Sequence, residues 1–191
     1  MINSQLGHVK TLEEFNSEIR RQQEEAHGLD YCQIHDAITK YMTKCNSYME
    51  LGTHQGGTAS AALLCRPKKA VLIDIDLSRF RKFLEPIAVK YCEDHGIDFR
   101  AVETDSTSLA AFNMTDMLVI DSLHTPQHMM RELNFHGLNT KKYILAHDTS
   151  VINGGADESL FLCMKQYGDN NGWEIIERGT TNVGYTVMKR V

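Results

Sequence analysis

From Tyr48 onward, short apolar runs alternate with stretches whose apolar residues recur at helical spacing. This alternation predicts strands at 48–51, 70–75, 99–102, 117–120 and 143–146. It predicts helices between them at about 57–65, 78–95 and 126–138, and Pro86 should kink or split the second helix. The runs at 70–75 and 117–120 are apolar almost throughout, which is typical of strands buried on both faces of a parallel sheet. The sequence therefore predicts an α/β fold built on a doubly wound sheet.

The two ends of the chain extend this pattern. Residues 1–45 carry apolar side chains at spacings of three and four, and Gly28 separates them into two predicted helices. A last helix follows Asp157, and the strands predicted at 173–178 and 184–189 are close enough for an antiparallel hairpin. With 191 residues, the chain fits a single domain.

Composition limits the partners and the compartment. The formal net charge of −5 provides no basic excess to neutralise phosphates, so we expect no nucleic-acid partner. Five scattered cysteines without a C-x-x-C pair indicate reduced thiols of an intracellular protein. No basic and apolar leader and no apolar run of ~20 residues is present, which predicts a cytoplasmic protein without a membrane partner.

A glycine-rich turn, E-L-G-T-H-Q-G-G-T at 50–58, joins the first predicted strand to the next helix. The dinucleotide fingerprint G-x-G-x-x-G fails because His54 occupies the position of its second glycine. The phosphate-binding G-x-x-x-x-G-K-[ST] loop matches Gly52 and Gly57, but Thr58 replaces the lysine. The remaining pattern favours a ligand that contains a nucleoside without phosphate, and the alternative is a plain turn between a strand and a helix.

Acidic residues follow the second and third predicted strands. Asp76 comes 24 residues after Gly52, where a carboxylate can accept hydrogen bonds from both ribose hydroxyls. Asp105 and Ser106 end the third strand, where a carboxylate could accept from an adenine amino group. The alternative for Asp76 is a cap of the helix that follows it, and for Asp105 a cap of a short helix at about 107–112.

The fourth and fifth predicted strands end in Asp121 and in His147-Asp148, with His124 three residues past Asp121. If these strands are neighbours, the two carboxylates converge, and two like charges need a cation or a proton between them. They predict a site for Mg²⁺ or a related hard cation, and His147 would shift the preference toward Mn²⁺, Fe²⁺ or Zn²⁺. His124 can serve as a general base near neutral pH. Each histidine could instead be a structural residue.

Taken together, these segments resemble the class I S-adenosylmethionine-dependent methyltransferases. The turn at 50–58 resembles their first motif, and I-D-I-D at 73–76 resembles the strand that carries their ribose-binding acid. The segments D-M-L-V-I-D-S-L-H at 116–124 and Y-I-L-A-H-D-T at 143–149 resemble the small bacterial subgroup that contains the cephalosporin hydroxylase and rhamnosyl O-methyltransferase proteins. The resemblance covers residues 48–191. D-S-L-H departs from the subgroup's D-G-D-H, which weakens the case for metal dependence.

The resemblance implies a Rossmann-like sheet in the order 3-2-1-4-5-7-6, with strand 7 antiparallel. It implies a cofactor-binding core at 46–191. The 45 residues before the first strand are expected to form a helical N-terminal extension or lid, within a single methyltransferase domain over 1–191. The residues expected to contact S-adenosylmethionine are Glu50, Gly52, His54, Gly56, Thr58, Asp76, Asp105, Ser106 and Asp121. His124 and Asp121 are the expected catalytic residues, and Asp121, His147 and Asp148 are the expected ligands of Mg²⁺ or another divalent metal.

The predicted function is methyl transfer from S-adenosylmethionine, most simply to a hydroxyl oxygen of a small acceptor molecule. Two alternatives remain open at this point. One is a non-catalytic cofactor-binding or scaffold protein on the same fold, since fold does not determine function. The other is a nucleotide-binding oxidoreductase, against which the missing second glycine argues. The oligomeric state is left open, a homo-oligomer included.

Overall fold

The computed structural model of the chain describes residues 9–108, 114–152 and 154–191. Their helices are α1 (Leu12–His27), α2 (Gln33–Met42), α3 (Gly57–Leu64), α4 (Ser78–Phe83), α5 (Glu85–His95), α6 (Pro126–His136) and α7 (Ser159–Asn171). Their strands are β1 (Ser47–Leu51), β2 (Lys69–Asp74), β3 (Asp98–Glu103), β4 (Thr115–Ile120), β5 (Thr140–His147), β6 (Val151–Ile152), β7 (Gly155–Ala156), β8 (Trp173–Gly179) and β9 (Tyr185–Arg190).

Seven of these strands form one sheet in the order β3-β2-β1-β4-β5-β9-β8. Strands β1 to β5 pair in parallel, whereas β9 is antiparallel to both β5 and β8. The predicted order is confirmed, with β8 and β9 as the sixth and seventh strands of the sheet. The short antiparallel ribbon of β6 and β7 was not predicted, because two-residue strands carry no periodic signal.

Two apolar cores cover the two faces of the sheet. In β4, Met117 and Val119 contact the core formed with α1 to α5, and Leu118 and Ile120 contact the core formed with α6 and α7. Successive side chains of a strand point to opposite faces, so a strand covered on both sides must be apolar throughout. This arrangement explains the continuous apolar runs and leaves the strand ends as the place for polar side chains.

The segment at 78–95 folds as two helices, as Pro86 predicted. Helix α4 ends at Phe83, α5 begins at Glu85, and Pro86 lies in the first turn of α5. A proline is tolerated there because the first-turn N–H groups have no partner within the helix. The helix anticipated at about 107–112 falls largely on residues outside the described ranges.

The N-terminal helices pack on the same face as α3 and are tied to the far end of the chain. Helix α1 begins with a capping box between Thr11 and Glu14 and packs its apolar side chains into the core of that face. In the connection between β8 and β9, Asn182 Nδ2 donates to the His27 carbonyl oxygen at 2.7 Å, and Thr181 Oγ1 donates to Gln33 Oε1 at 3.0 Å. These bonds hold both ends of the segment that joins α1 to α2.

Within the described ranges, no helix combines the length and the apolar character that crossing a bilayer would require.

Candidate functional site

The glycine-rich turn after β1 brings the ends of β1 and β4 into direct contact. Gly52 has φ +87°, and a Cβ atom added there would lie 2.1 Å from the carbonyl oxygen of Asp121. Its own N–H donates to the Ile73 carbonyl oxygen at 2.8 Å, so the same residue also continues the ladder with β2. Only glycine combines this backbone conformation with so close an approach.

An acid at the end of β2 holds the turn in place. Asp74 Oδ2 accepts hydrogen bonds from the backbone N–H groups of Thr53 and His54, each at 2.7 Å. Asp76, the acid selected from the sequence, instead accepts from the Ser78 N–H at 2.8 Å, and this bond lowers its pKa. Asp76 therefore caps α4 outside the cavity described next, whereas Asp74 lies in the cavity wall.

A cavity of about 550 Å³ runs along the carboxyl ends of the central strands. Its volume is within the range of small-molecule sites. It begins at Gly52 and ends at the loops that follow β3 and β4. The residues lining it are Gly52, His54, Ile73, Asp74, Ile75, Thr104, Asp105, Ser106, Asp121, Ser122, Leu123 and His128. Ile75 and Leu123 are 71% and 61% exposed, so the cavity offers apolar surface to a ligand.

The residues predicted to contact a cofactor fall into two groups. Those that line the cavity are Gly52, His54, Asp105, Ser106 and Asp121. Glu50 and Thr58 lie behind it, where the buried Thr58 hydroxyl donates to Glu50 Oε1 at 3.1 Å and the Tyr48 hydroxyl donates to Glu50 Oε2. Gly56 is the left-handed N-cap of α3.

Burial keeps Glu50 neutral and makes the stability of the protein depend on pH. Desolvation raises the pKa of Glu50 to about 8, while an unfolded chain releases that proton near pH 4.5. The folded state keeps the proton longer, so the free energy of unfolding falls as pH rises from 4.5 to 8. Glu50→Gln has no proton to lose at this position. Between pH 4.5 and pH 7, we expect its free energy of unfolding to rise by about 3 kcal/mol relative to that of the wild type.

Urea denaturation at several pH values measures this difference. The exposed Glu93→Gln on α5 makes the same chemical change as a control and should follow the wild-type profile. Parallel profiles for Glu50→Gln and the wild type would mean that Glu50 is ionised in the folded protein.

At the other side of Gly52, the ends of β4 and β5 bring two carboxylates and two imidazoles together. His147 Nδ1 lies 3.3 Å from Asp121 Oδ1 and 3.2 Å from Asp148 Oδ2. His124 Nε2 lies 3.5 Å from Asp121 Oδ1 and 3.3 Å from Asp148 Oδ2. The convergence of these four residues, expected from adjacent strand ends, is thus present in the structure. We call them the His–Asp cluster.

The imidazoles neutralise the carboxylates of the His–Asp cluster. Burial alone would lower the pKa of His147, but Asp121 and Asp148 raise it to about 10. The nearby Asp121 carboxylate likewise raises the pKa of His124 above its ordinary value. Although burial opposes the effect, both imidazoles hold the pKa of Asp121 well below its usual range. The protonated imidazoles therefore lie against both carboxylates and offset their mutual repulsion. Either a proton or a cation was expected in this role from the sequence, and in the structure it is the proton.

Two further features border the His–Asp cluster. The ring of Tyr31, in the connection between α1 and α2, meets the His147 ring edge-on with centroids 5.7 Å apart. Burial and the charges of Asp121 and Asp148 raise the pKa of Tyr31, so its hydroxyl stays protonated. Asp148 has φ +55°, a left-handed conformation that costs a non-glycine residue about 1 kcal/mol or more. Sequence reasoning missed Tyr31, because no local pattern places residue 31 beside residue 147.

The donor atoms of Asp121, His124 and Asp148 could hold a metal ion, since one ligand atom from each lies within 4.8 Å of the others. Two carboxylate oxygens and one imidazole nitrogen suit Mg²⁺, Mn²⁺ or Fe²⁺. The set predicted from the sequence contained His147 in place of His124. His147 points Nδ1 at both carboxylates from the buried side, where it orients them.

The fold is one that solved S-adenosylmethionine-dependent methyltransferases share, as the structural neighbours show. A comparison with family models and with curated proteins gives no match. Among solved structures, the chain is similar to a protein of Staphylococcus aureus described as a caffeoyl-CoA O-methyltransferase, with a TM-score of 0.62 and 14% identity. That similarity covers 99% of this chain and 93% of the other.

Two more neighbours carry methyltransferase names. The ribosomal protein L11 methylase of Lactobacillus delbrueckii subsp. bulgaricus has a TM-score of 0.59 and 16% identity, over 85% of this chain and 79% of that one. A protein of Streptococcus mutans described as an S-adenosylmethionine-dependent methyltransferase has a TM-score of 0.61 and 10% identity. It matches over 84% of this chain but only 49% of its own length. At these identities the neighbours establish the fold.

Proposed function

We propose that the protein transfers a methyl group from S-adenosylmethionine to a hydroxyl oxygen of a small acceptor molecule. The observation that carries this proposal is the position of Asp121, which lines the cavity and also belongs to the His–Asp cluster. A methyl donor in the cavity would therefore have its reactive end beside groups that can accept a proton. The structural neighbours are named as an O-methyltransferase and a ribosomal protein methylase, among others. These names support methyl transfer in general and leave the acceptor to be tested.

The side chains of the cavity fit the parts of S-adenosylmethionine. Ile75 and Leu123 offer apolar contact to a purine ring, and Asp105 offers a carboxylate to its amino group. For the ribose hydroxyls we assign Asp74, because it lies in the cavity wall and Asp76 does not. Gly52 lets the backbone approach the ligand without a side chain in the way.

His124 is the general base of the proposed reaction. The acceptor oxygen attacks the methyl carbon, the carbon–sulfur bond breaks, S-adenosylhomocysteine leaves, and the acceptor proton passes to His124 Nε2. Asp121 and Asp148 flank this nitrogen and stabilise the imidazolium that forms. Most of the remaining rate enhancement would come from positioning the two reactants. Tyr31 and the segment between α1 and α2 form the acceptor side of the site.

A divalent cation is an alternative to the His124 base, favoured by the convergence of Asp121, His124 and Asp148, because a His124 nitrogen that ligates the cation cannot accept a proton. When bound, such a cation lowers the pKa of a coordinated hydroxyl group. Because its ligands must be deprotonated, it would compete with the protons that neutralise the His–Asp cluster. The D-x-x-H and H-D-T segments support the cephalosporin hydroxylase and rhamnosyl O-methyltransferase subgroup as the source of this arrangement.

Thermal unfolding with S-adenosylmethionine tests the proposed cofactor. At ~100 times its dissociation constant, a ligand adds ~2.7 kcal/mol, which shifts the melting temperature of a protein of this size by several degrees. We expect this shift with S-adenosylmethionine or S-adenosylhomocysteine and no shift with NAD(H). A larger shift with Mg²⁺ or Mn²⁺ than with EDTA would support the cation, and equal shifts would remove it.

The same preparation separates an enzyme from a scaffold. Incubation with methyl-labelled S-adenosylmethionine and a panel of phenols, catechols and sugars should give labelled product and S-adenosylhomocysteine. No thermal shift at saturating cofactor would overturn the proposed function. A shift without transfer to any acceptor of the panel would favour the non-catalytic alternative.

A further inference from the structure

A buried carboxylate stands behind the cavity wall at the end formed by the loops after β3 and β4. Glu132 on α6 is fully buried, and its Oε1 accepts hydrogen bonds from Ser106 Oγ at 2.5 Å and Ser122 Oγ at 2.7 Å. His128 Nε2 lies 3.2 Å from the same oxygen. Glu132 Oε2 has no hydrogen-bond partner among the residues that the structure describes. Ser106, Ser122 and His128, which all lie in the cavity wall, thus share Glu132 Oε1 as a buried hydrogen-bond acceptor.

A second contact from α6 fixes the backbone at the same place. His136, one turn beyond Glu132, is buried, and its Nε2 donates to the Ser106 carbonyl oxygen at 2.8 Å. The position of Ser106 is therefore determined from α6 through both its backbone and its hydroxyl. Neither Glu132 nor His136 lines the cavity, so both act through the residues that do.

The hydroxyl protons decide what this end of the cavity can bind. A serine hydroxyl has one proton, and Ser106 and Ser122 each donate theirs to Glu132. His128 Nε2, which lies 3.3 Å from Ser106 Oγ and 3.2 Å from Glu132 Oε1, is then the donor toward both oxygens. The two serine oxygens can then only accept hydrogen bonds from a ligand. A further polar group here, Asp105, is a carboxylate whose Oδ1 accepts from Thr107, and a carboxylate also offers acceptors alone. The side chains of Asp105, Ser106 and Ser122 together form what we call the acceptor rim.

We propose that Glu132 is a specificity-determining positioning residue, which orients the acceptor rim so that the cavity selects a purine with a 6-amino group over one with a 6-oxo group. This inference rests on the proposed function. A 6-amino group donates hydrogen bonds and satisfies the rim. A 6-oxo group accepts them, so that it would face acceptors and leave buried polar groups without partners.

Calorimetric binding of two related probes tests the inference on the wild-type protein. The probes are S-adenosylhomocysteine and S-inosylhomocysteine, its 6-oxo analogue. We expect S-adenosylhomocysteine to bind at least about 30-fold more tightly, since a site built for a donor rejects an analogue that lacks it. Equal affinity for both probes would overturn the inference and leave the proposed function standing. Binding of neither probe would overturn the proposed function and this inference with it.

The variant Glu132→Gln tests the role of the carboxylate at nearly constant shape. Its amide can donate to a serine oxygen, which turns that hydroxyl proton toward the ligand. We expect the preference for the 6-amino probe to fall to about threefold or less, because the rim then contains a donor. Glu93→Gln, the same change on the exposed face of α5, should keep the wild-type preference.

A second variant keeps the test independent of the folding of Glu132→Gln. Ser122→Ala removes one acceptor of the rim at a half-buried position. We expect it to lower the preference at least about threefold while circular dichroism stays that of the wild type. A wild-type preference in whichever of these variants folds would overturn the role assigned to Glu132.

Discussion

Replacing His124 with alanine is expected to lower turnover by about 10²–10⁴-fold, the usual contribution of a general base. His124 Nε2 lies between the carboxylates of Asp121 and Asp148, and the side chain is not among those that line the cavity. Affinity for S-adenosylmethionine should therefore stay unchanged while the chemical step slows. Release of S-adenosylhomocysteine with an acceptor from the panel measures turnover, and calorimetry measures the affinity.

The pH dependence of the same reaction provides an independent readout. The nearby Asp121 carboxylate raises the pKa of His124 above its ordinary value of 6.5, so the imidazole can accept a proton only at higher pH. Turnover of the wild type should rise with pH through that range, and the rise should disappear in His124→Ala. His95→Ala, on the exposed end of α5, is the matched control and should behave as the wild type. Turnover of His124→Ala equal to that of the wild type would remove His124 as the base.

Gly52→Ala is expected to lower the free energy of unfolding by more than about 3 kcal/mol. Effects of this size arise from few causes, and backbone strain and overpacking are two of them. The added Cβ would lie 2.1 Å from the Asp121 carbonyl oxygen and 2.7 Å from the Ser122 backbone nitrogen. These are backbone atoms of the adjacent strand end, which cannot rotate away as a side chain can. The strand ends of β1 and β4 would have to separate, and S-adenosylmethionine binding should be lost with them.

Gly96→Ala isolates the contribution of the clash. Gly96, which follows α5, also has a positive φ of +67°, but a Cβ added there meets no atom within 4 Å. Gly96→Ala should therefore lower the free energy of unfolding only by the cost of the left-handed conformation, about 1–2 kcal/mol. Urea denaturation of both variants gives the comparison. If Gly52→Ala is no less stable than Gly96→Ala, β1 and β4 do not meet as closely as the structure has them.

Most of the fold could be predicted because its signals are local. The buried runs in β2 and β4 identify central parallel strands without reference to distant residues, and Pro86 marks the division between α4 and α5. The sheet order could not be derived from these signals alone and came from the resemblance of the strand-end motifs. The ribbon of β6 and β7 is too short to be detected by periodicity.

The site was harder to predict, because side chains near in sequence take different roles. Asp74 and Asp76 lie two residues apart, yet one holds the turn after β1 and the other caps α4. A signal for the role of Asp76 was available in the sequence. A helix was predicted to begin at residue 78, and an acid two residues before the start of a helix often accepts from the first backbone N–H group of that helix. Glu50 belongs to the expected motif. Side chains alternate between the two faces of a strand, however, and on β1 the Glu50 side chain lies on the face toward Thr58 and away from the cavity.

The bonds from the turn after β8 to the end of α1 and the start of α2 also bear on the order in which the protein folds. Asn182 lies 155 positions after its partner His27, and Thr181 lies 148 positions after Gln33. During synthesis, α1 and α2 can dock on α3 early, but contacts of such long separation form late. The connection between α1 and α2, which carries Tyr31, is thus fixed in place only after the last strands have formed. Under the proposed function, a nascent chain would bind the nucleoside of its cofactor before it could enclose an acceptor molecule.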